Sequence, residues 1–391
     1  MNWKYPLFWL YDKLSGMNVC KIHKELMKSQ NWSIEKAEAF QLQRLQALNI
    51  ADSWEEFRSL PLMTKEDLRK KAKEFQPIFS KCPSTYTWHS SSGSTGEPLI
   101  TYGPKELQSI KTAVFMRSWK NVGWNGTDWI LRLTAGEPQW KVYDYLRNIK
   151  PMNYRTISDK HVDWVIKNKP FLIHGGSGAI RELTDKIIAK GREDILSDMK
   201  VYLMSEDVHV HTKILKMYYK EVHSGYGLAE LCTVASGRGK PGFYLTNMEC
   251  CICEVIDGEI VVTDLWNNLM PVVRYKTKDF GSTEDGDNML CNVHGRQVDY
   301  YNGPELNRPT GWWMLSPISH YYGKYIKQWK MEVLPKKKLI VLYYVPRNKD
   351  NMNVFYYNEF VRENLGDEWE VNYIKQKTMS NKSMHLLKVI K

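Results

Sequence analysis

The sequence predicts an α/β protein. A large N-terminal domain of parallel βαβ sheets plus a distorted antiparallel barrel would be followed by a small α+β C-terminal domain. Three observations carry this reading. Strand-like and helix-like segments alternate between residues 129 and 219, the rhythm of a parallel sheet covered by helices. After about residue 240 strand-like runs follow one another, with Asp257-Gly258 as a hairpin-turn signal between runs over 251–256 and 259–263. Beyond about residue 300 a strand pattern over 339–345 and a helical one over 353–364 suffice for a small mixed domain.

In chain order, residues 1–75 read mainly as helices, and Thr64 with Asp67 is a start signal for one running to about Phe75. Short strand patterns over 86–88 and 99–102 flank a Ser/Gly loop. Pro104 opens a helix in which Leu107, Ile110, Val114, Phe115 and Trp119 recur at helical spacing. The alternating region then offers strands over 129–133, 171–173 and 201–204, with helices over about 177–190 and 211–219. The run over 244–245 begins the antiparallel part. There is no internal repeat and no low-complexity linker.

With 43% apolar and 25% charged residues, the 391-residue chain is neither disordered nor collagen-like. No run nears the roughly 18 uninterrupted apolar residues of a membrane span. The apolar run over 5–11 is too short for a signal-peptide core, so a cytoplasmic location is expected. Lys and Arg exceed Asp and Glu by 55 to 44, a net charge of +11. That surplus invites a nucleic-acid reading, yet the basic residues are scattered and no helix-turn-helix, zinc-finger or RNA-recognition signature accompanies them. The seven cysteines are odd in number and unevenly spaced, as reduced thiols are.

The most informative segment is Ser90-Ser91-Ser92-Gly93-Ser94-Thr95-Gly96-Glu97-Pro98. Glycines allow backbone N–H groups to converge on an anion, and hydroxyls add donors for phosphate oxygens. It is not a Walker A element, because no Lys follows Gly96 and Pro98 leads into a strand pattern. A strand–loop–strand phosphate clamp fits instead. Downstream lie Tyr226-Gly227-Leu228-Ala229-Glu230, Arg274-Tyr275-Lys276-Thr277-Lys278-Asp279 and Gly295-Arg296. An aromatic beside glycine can stack on a base, a carboxylate can hold Mg²⁺, and an Asp can bind both hydroxyls of a ribose.

In this order and spacing the set resembles the adenylate-forming superfamily of acyl-CoA synthetases and adenylation domains. The phenylacetate–CoA ligase branch, which includes capsule-biosynthesis proteins of the CapK kind, is the nearest likeness. Three further pieces agree: Leu60-Pro61-Leu62-Met63-Thr64-Lys65-Glu66-Asp67-Leu68, Met204-Ser205-Glu206 before the Tyr-Gly pair, and Ser380-Asn381-Lys382 near the C-terminus. The resemblance runs from about residue 60 to the end. It implies that ATP and a carboxylic acid give an acyl-adenylate and pyrophosphate, and that the acyl group then passes to CoA or another acceptor.

By the same resemblance, Ser92, Gly93, Ser94, Thr95 and Gly96 clamp the β- and γ-phosphates. Ser205 and Glu206 line the adenine pocket, and Tyr226 stacks on the base. Glu230 ligates Mg²⁺, Asp279 and Arg296 hold the ribose, and Lys382 reaches the α-phosphate. The branch also implies a split into a nucleotide- and acid-binding domain over 1–297 and a lid over 298–391. Segments 119–129 and 171–178 fall where the family builds its acid-binding wall, and surface-polysaccharide assembly is one setting in which such proteins work.

Three departures stand out: Lys278 replaces a usual Gly, Val298 a usual hinge Asp, and Asn381 a usual Gly. They motivate a second reading, a degenerate member that binds nucleotide or a partner without catalysis. Some relatives carry a Cys/His metal cluster before Gly-Arg. Here Cys251, Cys253, Cys291 and His294 could form a zinc set, while buried apolar thiols are the favoured reading.

Overall fold

The computed structural model describes residues 4–81, 86–90, 99–134, 141–153, 157–204, 211–231, 233–237, 243–284, 288–296, 314, 318, 326–346, 355–377 and 386–390. Five helices lead: α1 (Lys4–Leu14), α2 (Val19–Ser29), α3 (Ile34–Ala47), α4 (Trp54–Ser59) and α5 (Lys65–Lys81). The start of α5 is set by a reciprocal cap. The Thr64 N–H donates to the Asp67 carboxylate at 2.7 Å, and the Asp67 N–H donates to the Thr64 hydroxyl at 3.3 Å. The helix runs past the expected end near Phe75. Pro77 removes one helical donor, while Phe75 and Phe79 both pack on Tyr102, at 5.4 and 5.0 Å between ring centroids.

Tyr102 belongs to β2 (Ile100–Pro104), which pairs antiparallel with β1 (Tyr86–Ser90) so that Ser90 faces Ile100. The long helix α6 (Lys105–Asn121) follows. Then come β3 (Ile130–Thr134), α7 (Val142–Leu146), β4 (Ile149–Asn153), α8 (Asp159–Asn168), β5 (Leu172–Gly175), α9 (Ser177–Ala189), β6 (Lys200–Leu203), α10 (Thr212–Tyr218) and β7 (Glu221–Gly227). The antiparallel strands are β8 (Thr233–Gly237), β9 (Phe243–Thr246), β10 (Cys251–Ile256), β11 (Glu259–Asp264), β12 (Tyr275–Glu284) and β13 (Met289–Arg296). All but β1 and β2 lie in one eleven-stranded sheet of order β10-β11-β12-β13-β9-β8-β7-β6-β5-β3-β4. Its β4-to-β7 side is parallel and the remainder antiparallel.

The antiparallel half rolls up. Tyr226 on β7 donates to Asp279 on β12 at 2.8 Å, although four strand spacings, about 19 Å in a flat sheet, lie between them. Likewise the Cys251 thiol of β10 donates to the Val234 carbonyl of β8 at 3.6 Å. The expected distorted barrel is this rolled half, continuous with the parallel strands. Its Asp257-Gly258 turn has both residues at positive φ, 51° and 78°, as a two-residue hairpin between Ile256 and Glu259 requires.

Beyond residue 325 a separate sheet of order β16-β15-β14-β17 forms from β14 (Ile326–Leu334), β15 (Leu339–Pro346), β16 (Glu370–Lys375) and β17 (Leu386–Val389). Helix α11 (Phe355–Leu365) lies between β15 and β16 in the chain. This part has its own apolar core around Trp329, Tyr357, Phe360 and Trp369, which is the small α+β unit that the sequence predicts.

Candidate functional site

The rolled sheet builds the site from the carboxyl end of β7 and the start of β12. Tyr226 is buried, and both burial and the nearby Asp279 carboxylate push its phenol well above the ordinary tyrosine range. It therefore acts as a permanent donor to Asp279. Asp279 is itself buried and is held by its own N–H, which donates to the Thr277 hydroxyl at 3.0 Å. Directly across the ladder, Asp279 pairs with Arg296 of β13. Three motifs separated by up to seventy positions thus converge.

One residue before Tyr226, Gly225 lets the Tyr202 hydroxyl approach. A Cβ there would lie 2.6 Å from that oxygen. Glu230 sits three residues past β7, 4% exposed, and its carboxylate has no partner among the described residues.

The Lys278 position carries the main departure from the expected pattern. Its backbone is left-handed at φ 64°, as the glycine it replaces would allow. Glu259 stabilises the kink. One oxygen accepts from the Lys278 N–H at 2.9 Å, and the other pairs with Lys276 at 3.1 Å. The side chain of Lys278 is exposed.

Residues 60–68 and 274–279 resemble separate family stretches, and they meet. Met63 and Tyr275 form a parallel bridge, with Met63 N–H to Arg274 O and Lys276 N–H to Met63 O both at 2.9 Å. Arg274 turns away from any ligand role. Its guanidinium grips Glu254 at 3.0 and 3.1 Å and the Leu60 carbonyl at 2.7 Å. Sequence reading misses this clamp, because its partners are scattered over more than two hundred positions.

The other expected residues are distributed as follows. Ser92, Gly93, Ser94, Thr95, Gly96, Ser205, Glu206 and Lys382 lie outside the described residues, as do the side chains of Arg296 and His294. Strands β1 and β2, which flank the segment expected to clamp phosphates, are paired with each other. Cys251 and Cys253 are on β10, three strands from Cys291 on β13. Among the described residues no three His, Cys, Asp or Glu side chains stand together as a metal would need.

His174 lies within the 171–178 segment expected to wall the acid, at the carboxyl end of β5. Its ring is enclosed by Phe115, Trp119 and Tyr202 at 5.4 to 5.7 Å. Burial lowers its pKa to about 3, so the imidazole is neutral. Its Nδ1 has no partner among the described residues.

Solved structures share this fold. The chain superposes on 2-hydroxyisobutyryl-CoA ligase in the postadenylation state in complex with 2-HIB-AMP, with a TM-score of 0.56 and 14% identity over 95% of this chain and 88% of that one. The same ligase with 2-HIB-AMP and CoA in the thioesterification state gives 0.55 at 14% identity, over the same shares of the two chains. A GH3.15 acyl acid amido synthetase gives 0.52 at 13%, over 87% and 86%. The chain has the adenylate-forming fold. No family model matches the sequence, and no curated protein does. Within this fold, Tyr226 of β7 and Asp279 of β12 are held together by the 2.8 Å bond.

Proposed function

We propose that the protein activates a carboxylic acid with ATP, releasing pyrophosphate, and then passes the acyl group to a thiol such as CoA or to another acceptor. The observation that carries this reading is the 2.8 Å bond between Tyr226 and Asp279, with Arg296 opposite Asp279 in the ladder. In the proposed first step a carboxylate oxygen attacks the α-phosphorus, and the bond to the bridging β-phosphate oxygen breaks. Asp279 and Arg296 take the ribose, Tyr226 presents its fixed ring to the base, and Ser205 and Glu206 border the adenine. Residues Ser92, Gly93, Ser94, Thr95 and Gly96 hold the outgoing phosphates, with their loop ends fixed by β1 and β2. Lys382 offsets the charge that develops at the α-phosphate. Mg²⁺, held by Glu230, would neutralise phosphate charge.

If the acid lies against segments 119–129 and 171–178 as the family resemblance implies, the aromatic residues around His174 favour one with an apolar body. The unpartnered Nδ1 further favours a polar substituent on that body, since a buried imidazole nitrogen left unpaired is costly. The motif set supports the phenylacetate–CoA ligase branch over other branches. A separate four-stranded sheet with its own apolar core around Trp329 and Trp369 supports a division into units over 1–297 and 298–391.

Hydroxylamine trapping with a panel of aromatic, fatty and amino acids tests the reading. ATP-dependent hydroxamate is expected with at least one aromatic acid. Nucleotide binding without hydroxamate from any acid would favour the non-catalytic reading.

A further inference from the structure

Twelve large apolar side chains stand exposed among the described residues, and half of them gather on two neighbouring helices: Leu7, Trp9, Leu10 and Leu14 on α1, and Val142 and Tyr145 on α7. Helix α1 is inside out. It buries Lys4 and Asp12 while leaving Leu14 77% exposed. The buried polar groups are anchors. Lys4 donates to Asn148 at 2.8 Å, and Asp12 accepts from the N–H groups of Val19 and Cys20 at 2.8 Å, capping α2. Phe8 packs edge-on against Tyr143 of α7 at 5.2 Å. These contacts fix the helix orientation, so its apolar face is held outward.

At about 100° per residue, Leu7, Leu10 and Leu14 fall within an arc of roughly 60°. Trp9 and Lys13 lie together beside one edge of that arc, with the Lys13 amine 5.4 Å from the Trp9 ring centroid. The exposed charges of α1, α2 and the start of α7 are Lys13, Lys21, Lys24, Lys28 and Lys141, against the single acid Glu25, which Lys28 pairs. Leucines and a tryptophan on a basic surface match the boundary of an anionic bilayer, where apolar side chains enter the acyl region and lysines meet headgroups. No described helix is long and apolar enough to cross a membrane, so α1 would lie in the interface plane.

We propose that the outward face of α1, extended by α7, docks the protein on anionic membrane surfaces. The test is co-sedimentation of the full chain with phosphatidylcholine vesicles, with and without about a third phosphatidylserine. Binding is expected only with phosphatidylserine and should weaken with salt. The double variant L10Q/L14Q, checked by an unchanged melting temperature, should bind about tenfold or more weakly. If that variant unfolds, K21Q/K24Q serves instead and should lose the phosphatidylserine dependence. Equal binding by folded wild type and variant would overturn the proposal. So would absence of vesicle binding together with a concentration-dependent dimer that L10Q/L14Q abolishes, which would assign the face to a second copy of the chain.

Discussion

Lys278 shows how a departure from a family pattern can keep the geometry and change only the energy. Its φ of 64° costs a non-glycine residue on the order of 1 kcal/mol, and its side chain is exposed. Replacing it with glycine should relieve that strain without disturbing the Glu259 contact, which uses the backbone N–H. We expect Lys278→Gly to raise unfolding stability by up to about 1 kcal/mol in urea, offset in part by glycine's greater freedom when unfolded. A clear loss of stability would mean that the Lys278 side chain has a structural role. At this scale the sequence was legible in kind. Tyr226, Asp279 and Arg296 are recognisable from their motifs. Their meeting is not, because it depends on the roll of strands that are distant in the sheet order.

Among elements, those with strong local signals were legible. The β10–β11 hairpin is written in Asp257-Gly258, and α5 begins where Thr64 and Asp67 indicate. Strand β4 escaped notice because Pro151 sits inside it. The structure explains the tolerance, since β4 is an edge of the large sheet and need not donate on both sides.

The contact between α9 and α11 was also invisible in the sequence. Arg181 joins Asp185 at 2.9 Å, Glu359 at 3.1 Å and Glu363 at 3.8 Å. Burial raises Glu363 to about 7, Arg181 opposes that rise, and Glu359 adds to it. A carboxyl whose folded pKa lies above its unfolded value of 4.5 favours the fold most at low pH. Its contribution is lost as pH rises from about 4.5 to about 7. Glu363→Gln should therefore flatten that part of the stability–pH curve. Thermal melts of both proteins across this window check it, and parallel curves would count against the buried-carboxyl account.

On the scale of the whole molecule, the order of motifs along 391 residues and the order of strands in the sheet tell one story. Composition and charge alone left open a nucleic-acid binder, and under the proposed ATP-dependent reaction part of the +11 charge would serve anionic nucleotide instead. The altered Lys278, Val298 and Asn381 leave the first half-reaction as the central claim, because the Tyr226–Asp279 pair proposed to bind nucleotide lies in the large sheet and not in the proposed lid. The most direct measurement is exchange of labelled pyrophosphate into ATP with the acid that gives the strongest hydroxamate. The account predicts acid-dependent exchange that falls by about 10²–10³ in Lys382→Ala. Exchange undiminished in that variant would remove the proposed role of Lys382, and no exchange with any acid of the panel would contradict the account itself.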